Sequence, residues 1–292
     1  MRIAWIGTGV MGGPMAGHLL AAGHTVTVHT RTRAKANALL QRGARWADSP
    51  RAAAAGAEAA CVMVGFPADV ESVVLGPEGA LAALPAGALL VDFMTSRPSL
   101  AMRIAKEADV RGVLALDAPV SGGDVGARAG QLTILAGGSD AAFQAAGPIL
   151  ACFGKTVTHQ GPAGSGQRAK LVNQILIAGV MMGMCEGLLF ARRAGLNPET
   201  VLEGVSGGAA GSWSLSNLAP RILAGNYRPG FYVEHFLKDL GLALEEAAAL
   251  HLDLPALALA KRLYEAVREG GGAKLGTQAL ALALERMNPP VS

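Results

Sequence analysis

Charge, aromatic residues and cysteine are all scarce in this 292-residue chain, and each shortage excludes something. Only 16% of the residues are charged, and the formal net charge is +3. So small an excess, with no Lys/Arg-rich block and no interleaved aromatic run, argues against a nucleic-acid partner. The chain is also 51% hydrophobic, which excludes disorder, since disorder needs low hydrophobicity and high charge. Cys61, Cys152 and Cys185 are odd in number, widely spaced and set among apolar residues. They predict reduced core thiols in a cytoplasmic protein, with no disulfide framework. The six histidines include no HExxH and no i,i+4 pair, so no metal site is expected.

Long apolar runs are missing too. The stretch from Leu171 to Ala191 is interrupted by Asn173, Gln174 and Glu186, which predicts a buried helix and no membrane partner. The N-terminus begins as a signal peptide might, but its glycine cluster breaks the apolar core such a peptide needs. Aromatics make up only 4%, so the apolar content is mostly small and aliphatic, as in close-packed helices and buried parallel strands. The length suits two domains, at about 100–200 residues each.

The first half alternates strand and helix patterns. Strands are expected at Ile3–Ile6, Thr25–His29, Cys61–Val64, Leu89–Asp92, Val113–Asp117 and Leu132–Leu135, with helical stretches between them. That alternation means βαβ units and a mostly parallel, doubly wound sheet. From Gly164 onward only helices are expected. The first runs from about Gly166 to Ala194, and others lie near 198–206, 214–224, 237–250, 255–269 and 277–287. The break at Gly161-Pro162-Ala163-Gly164 divides an α/β domain, residues 1–162, from an all-helical domain, residues 163–292.

Gly7-Thr8-Gly9-Val10-Met11-Gly12 fits GxGxxG between a strand and a helix. Gly7 would allow the tight turn, Gly9 the approach of a pyrophosphate, and Gly12 close packing of helix on strand. Alone the motif is a plain glycine turn; with strand, helix and second strand in place it reads as a dinucleotide site. After the second strand, where a carboxylate would accept the ribose hydroxyls of NAD, the chain reads Thr30-Arg31-Thr32-Arg33-Ala34-Lys35. Cations and hydroxyls without an acid favour the 2′-phosphate of NADP(H), with NAD(H) still possible. Arg31, Thr32 and Lys35 are the candidate contacts; a solvated basic start to a surface helix is the other reading.

Asp117-Ala118-Pro119-Val120-Ser121-Gly122-Gly123 leaves a strand and offers a hydroxyl and exposed N–H groups. It is either a cradle for a small carboxylate or a simple turn. On the long helix, Lys170, Asn173 and Gln174 stand at i, i+3 and i+4 and share one face. A cation and two amides on an apolar helix are costly to bury without partners, which suggests a catalytic lysine; a surface lysine at a helix end is the bland alternative. Lys238-Asp239 is uninformative by itself, and Trp213 could line a pocket but reads better as a core aromatic.

Together these segments resemble the β-hydroxyacid dehydrogenase family, which includes 3-hydroxyisobutyrate dehydrogenases and tartronate semialdehyde and glyoxylate reductases. The resemblance runs through GTGVMGGPMAGHLLAAGH, DFMTSRP, DAPVSGGDVGARAGQLTILAGG, GPAGSGQRAKLVNQ and PGFYVEHFLKDLGLAL, nearly the whole chain. It implies a Rossmann domain joined to an all-helical domain by one long helix, with a homodimer or homotetramer built on the helical domain. It also implies Lys170 as acid/base, with Asn173 and Gln174 beside it, and Ser121, Gly122 and Gly123 on the substrate carboxylate and hydroxyl. Thr95, Lys238 and the Val64-Gly65 segment would lie along the cofactor. Gly65 stands where many relatives have proline, Met94 where serine is usual, and Gln174 where KxxNN has its second asparagine. The tartronate semialdehyde branch shares that last change.

The resulting expectation is an NADP(H)-dependent oxidoreductase of a small carboxylate-bearing β-hydroxy acid or its semialdehyde. An imine reductase is a second reading, disfavoured because such enzymes typically lack this lysine. A non-catalytic NADP-binding protein on the same fold is a third, disfavoured by the same lysine.

Overall fold

The computed structural model describes residues 1–289, and close packing divides the chain into two units, Met1–Lys170 and a second from Leu171 onward. The first unit opens with β1 (Arg2–Ile6), α1 (Gly12–Ala21), β2 (Thr25–His29), α2 (Asn37–Gln41) and β3 (Arg45–Trp46). It continues with α3 (Pro50–Ala54), β4 (Ala59–Val62), α4 (Pro67–Leu75), β5 (Leu89–Asp92) and α5 (Pro98–Asp109). Then come β6 (Leu114–Asp117), β7 (Val120–Ser121), α6 (Gly123–Ala129), β8 (Leu132–Gly138), α7 (Asp140–Leu150) and β9 (Gly154–His159). These strands form one nine-stranded sheet in the order β3-β2-β1-β4-β5-β6-β8-β7, with β9 on β8. Pairing is parallel from β3 to β6, and β8 turns antiparallel to β6 and β7.

Alternate strand residues feed two separate cores. Ile3, Trp5, Val26, Val28, Cys61 and Val91 pack on one face with Met15 and Leu19 of α1 and Ile149 of α7. Ala4, Ile6, Ala60, Val62 and Leu90 pack on the other with Val70 of α4 and Ile104 of α5. Both faces are covered, so residues 3–6 of β1, Ala59–Val62 of β4 and residues 89–91 of β5 are apolar on both sides. Trp5 is fully buried, stacks on Phe93 with centroids 5.8 Å apart, and donates from Nε1 to the Gly7 carbonyl at 2.9 Å. That bond ties β1 directly to the glycine turn.

The structure corrects several strand expectations. β4 lies two residues earlier than expected, because an alanine-rich entry hides its start; Met63 and Val64 follow it as loop. β3, β7 and β9 were not expected as strands. β3 and β7 are only two residues long, and β9 is a polar strand at the sheet's end, with Lys155 and Thr156 exposed, and has no apolar run to announce it.

Helix α8 (Ser165–Arg193) runs from the first unit into the second. The second unit adds α9 (Pro198–Ser206), α10 (Trp213–Leu223), α11 (Val233–Ala249), α12 (Pro255–Val267) and α13 (Leu280–Met287). Gly195, with φ +73°, ends α8, and the Asn197 side chain caps α9 by accepting from Thr200 N. By length and composition α8 could cross a membrane, a test that core helices also pass. Its Ala178, Met181, Cys185 and Leu188 stripe belongs to the core of this unit, with Phe236, Leu240 and Tyr264. Val172, Leu176, Val180 and Phe190 of the same helix are exposed. Trp213, expected in the core, is 66% exposed, because it stands at the first turn of α10 just after the capping Ser212. All three cysteines are free; Cys61 and Cys185 are buried, while Cys152 is only half-buried.

The start of α8 is fixed to the sheet by buried polar groups. Asp117, at the end of β6, accepts from Gly164 N at 2.7 Å and from Gln167 N at 2.8 Å. Gln167 is fully buried; its Oε1 accepts from Ser96 N at 2.8 Å and its Nε2 donates to the Met94 carbonyl at 2.7 Å. Burial pushes the Asp117 carboxyl up to about 6, against the pull of its backbone N–H donors. An unfolded aspartate ionises near about 3.9. Between these values the folded chain holds the extra proton, so this group's stabilisation is complete below about pH 4 and lost as pH rises through about 6. Asp117→Asn should therefore flatten the fall in stability across that window, by about 2–3 kcal/mol. Urea melts of both proteins at pH 4.5 and 7 check this; equal pH slopes would refute it.

Candidate active site

The loops after β1, β2, β4, β5 and β6 leave the carboxyl ends of neighbouring parallel strands, where open α/β sheets bind ligands. The loop after β1 is Gly7–Met11. Gly7 has φ +98°, and a Cβ there would lie 2.1 Å from the Met63 carbonyl oxygen. A Cβ on Gly12 would lie 2.0 Å from the Gly7 carbonyl oxygen, so both glycines are demanded by the fold. Gly9 differs: a Cβ there meets nothing within 4 Å. That open space, ahead of the N–H groups that begin α1, is what an approaching pyrophosphate requires. Thr8 is buried, yet its Oγ1 has no hydrogen-bond partner among the described residues. Val10 is exposed and Met11 half-buried. An open glycine and an orphaned hydroxyl at a helix N-terminus fit a dinucleotide phosphate.

At the end of β2, Arg31, Thr32 and Lys35 are all exposed. Arg31 Nη1 lies 3.3 Å from Asp69 Oδ1, so the acid absent from residues 30–35 arrives from α4. Arg33 lies over the Trp46 ring, 5.3 Å from its centroid. After β4, Val64 and Gly65 are half-buried and precede the exposed Phe66. After β5, Thr95 is buried in the loop that Gln167 holds at Met94 and Ser96. After β6, Ser121 is half-buried in β7, followed by Gly122 at φ +127° and Gly123 at φ +61°. Two successive glycines leave backbone N–H groups unshielded by any Cβ, as small anions need.

Lys170 lies in α8, one turn beyond Gln167, and is 6% exposed. A buried lysine is expensive, and Lys170 is the only lysine among the buried polar and charged residues described. In the second unit, Asn173 Nδ2 donates to Gln174 Oε1 at 2.7 Å, and Gln174 Nε2 donates to Asp239 Oδ2 at 2.6 Å. Lys238 Nζ lies 2.8 Å from Asp239 Oδ1. Asn173, Gln174, Asp239 and Lys238 thus form one chain, with Gln174 and Asp239 almost fully buried. Both ends of the Gln174 amide are engaged, one of them by the Asn173 amide.

Sequence reasoning missed Asp69, Asp117, Gln167 and Asp239. Asp239 carried a usable signal: three residues after Phe236 and next to Leu240, it falls on the apolar face of α11. Asp69 carried none, since nothing local links it to Arg31. The described residues hold no group of three or more His, Cys, Asp or Glu able to bind a metal ion.

Residues 2–161 match the NAD binding domain of 6-phosphogluconate dehydrogenase, and residues 164–284 match the NAD-binding domain of NADP-dependent 3-hydroxyisobutyrate dehydrogenase. The chain is 50% identical to an uncharacterized oxidoreductase of Bacillus subtilis over 278 residues, covering 95% of this chain and 96% of that protein. It is 38% identical over 287 residues to the 2-hydroxy-3-oxopropionate reductase of Escherichia coli, covering 98% of each. The Mycobacterium tuberculosis 3-hydroxyisobutyrate dehydrogenase solved with L-serine superposes with a TM-score of 0.89 at 29% identity, covering 97% of this chain and 98% of that one.

The open space at Gly9 yields a direct test of the phosphate fit. Gly9→Ala should leave the melting temperature of the ligand-free protein within about 1–2 °C, yet weaken dinucleotide binding at least about tenfold. Gly12→Ala should instead destabilise the fold. Calorimetric melting and nucleotide titration of both variants read the contrast; a destabilised Gly9→Ala, or one that binds normally, would contradict it.

Proposed function

The chain belongs to the β-hydroxyacid dehydrogenase family and is an NAD(P)-dependent oxidoreductase, and we propose that it interconverts a small β-hydroxy acid and its semialdehyde, with NADP(H) preferred and Lys170 as acid/base. The observation that carries the reading is Lys170 itself: a buried cation on a helix whose first turn is pinned at the carboxyl edge of the sheet.

A nicotinamide cofactor, when bound, would supply the hydride in the reducing direction and accept it in the oxidising one. Gly9, Thr8 and the start of α1 would hold its pyrophosphate, Arg31, Thr32 and Lys35 its 2′-phosphate, and Val64, Gly65 and Thr95 would line its remaining length. The protein's own chemistry is the proton. In the reducing direction the Lys170 ammonium gives a proton to the oxygen that gains charge; in the oxidising direction its neutral amine removes one from the hydroxyl. Such catalysis is worth roughly 10²–10⁴-fold. Asn173, three residues along the helix, would orient the substrate oxygen, with Gln174 and Asp239 fixing the amide. Ser121, Gly122 and Gly123 would bind the carboxylate, which converts binding into orientation of the carbonyl.

The test is an assay of small β-hydroxy acids and semialdehydes with NADPH and NADH, repeated for Lys170→Ala. The variant should lose about 10²–10⁴-fold in kcat with nucleotide affinity changed by less than about threefold. Near-normal turnover by the variant would remove Lys170 from the mechanism.

The same reading includes a second copy of this chain as partner. Val172, Leu176, Val180 and Phe190 make an exposed apolar stripe along α8, and Gly179, Gly183 and Gly187 have open space where a Cβ would sit. An apolar stripe with glycines at four-residue intervals suits close packing against another helix. Light scattering should give a dimer or tetramer, and Leu176→Asp should weaken it. A concentration-independent monomer would refute the assembly.

A further inference from the structure

We propose that Asp69 is a specificity-determining residue that restrains the preference for a 2′-phosphorylated dinucleotide. The inference rests on the reading that Arg31 meets the 2′-phosphate. The cations after β2 are not equivalent. Arg33 is drawn onto the Trp46 ring, while Lys35 projects from a short turn into solvent. Arg31 meets an acid, with Nη1 3.3 Å from Asp69 Oδ1.

Asp69 is the anchored member of this pair. It stands at the third position of α4, where its Oδ2 accepts from Phe66 N at 3.1 Å. Its side chain is 23% exposed, against 83% for Arg31. When the guanidinium turns to a phosphate, the carboxylate stays within reach of the same N–H groups. It then competes for those donors and repels the incoming dianion. A ribose that ends in a free 2′-hydroxyl meets neither effect. The pair is too exposed to contribute much to folding, so its consequence lies in binding. Arg31 thus favours the phosphate and Asp69 limits by how much, which leaves room for both cofactors.

The experiment measures dissociation constants of NADPH and NADH by titration calorimetry on the full chain, for wild type, Asp69→Asn, Arg31→Ala and the double variant. Asparagine keeps an oxygen for Phe66 N while removing the charge, and a melting curve verifies the fold. Asp69→Asn should tighten NADPH binding about three- to tenfold, change NADH by less than about twofold, and lose most of its effect at high salt. In the Arg31→Ala background the same change should have a smaller effect, since competition for the guanidinium is gone. Unchanged or weaker NADPH binding by Asp69→Asn would overturn the proposal; weaker binding would mean that Asp69 aligns Arg31. An Arg31→Ala that binds NADPH normally would instead overturn the assignment of Arg31.

Discussion

The first turn of α8 lies so close to the sheet that no side chain fits between them, and the placement of Lys170 depends on that contact. A Cβ on Gly166 would lie 2.4 Å from the Leu135 carbonyl oxygen and 2.5 Å from that of Asp117. A Cβ on the facing Gly137 would lie 2.5 Å from Gly166 N. Backbone therefore rests on backbone. The helix cannot slide or rotate there without breaking the bonds from Asp117 to Gly164 and Gln167. Leaving one such buried group unpaired costs about 1–3 kcal/mol. Interaction energy alone would be modest, but the geometry is over-determined, and a lysine one turn along the helix inherits that rigidity.

Gln167 extends the same constraint to the loop after β5. Its amide has one acceptor and one donor end, and both are used on the backbone of that loop, at Ser96 and Met94. Met94 N in turn donates to Asp92 Oδ1 at 2.9 Å. Asp92 and Asp117 are register partners on adjacent strands, so two neighbouring carboxylates organise the segments leaving β5 and β6. Thr95 sits inside the loop so fixed. This is the arrangement a site needs when precision matters: reactive groups on regular elements, held by satisfied hydrogen bonds beneath them.

The sequence disclosed whatever repeats locally. β2 and β5 were legible to the residue because β-branched or aliphatic runs mark buried parallel strands, and α9 because Asn197-Pro198 is a helix start. β9 was not, since a polar strand with alternating exposure has no apolar signature. The glycine turn, Lys170 and the Ser121–Gly123 segment stand out as candidates because they are motifs of short spacing. Asp69, Asp117 and Asp239 were not, because each takes its meaning from a partner brought near by folding: Arg31 across 38 positions, Gln167 across 50 and Gln174 across 65. Periodicity can say that Asp239 faces inward; it cannot say what it meets.

A common logic links these three acids. Asp117 and Asp239 are buried and Asp69 is half-buried, and each engages a group that the candidate chemistry employs or leans upon. Asp117 holds the helix that bears Lys170, Asp239 holds the amide beside Asn173, and Asp69 holds Arg31. Their charges differ in consequence because their burial differs. Asp117 faces backbone N–H groups in the buried interior, and burial displaces its ionisation upward. Asp239 meets an ammonium at 2.8 Å as well as an amide, which compensates the charge directly. Asp69 faces a guanidinium open to water, where the pair contributes little to stability and can exchange for another anion. The two buried acids therefore fix geometry, while the exposed pair is left adjustable, and on the proposed reading it stands where a choice between two ligands would have to be made.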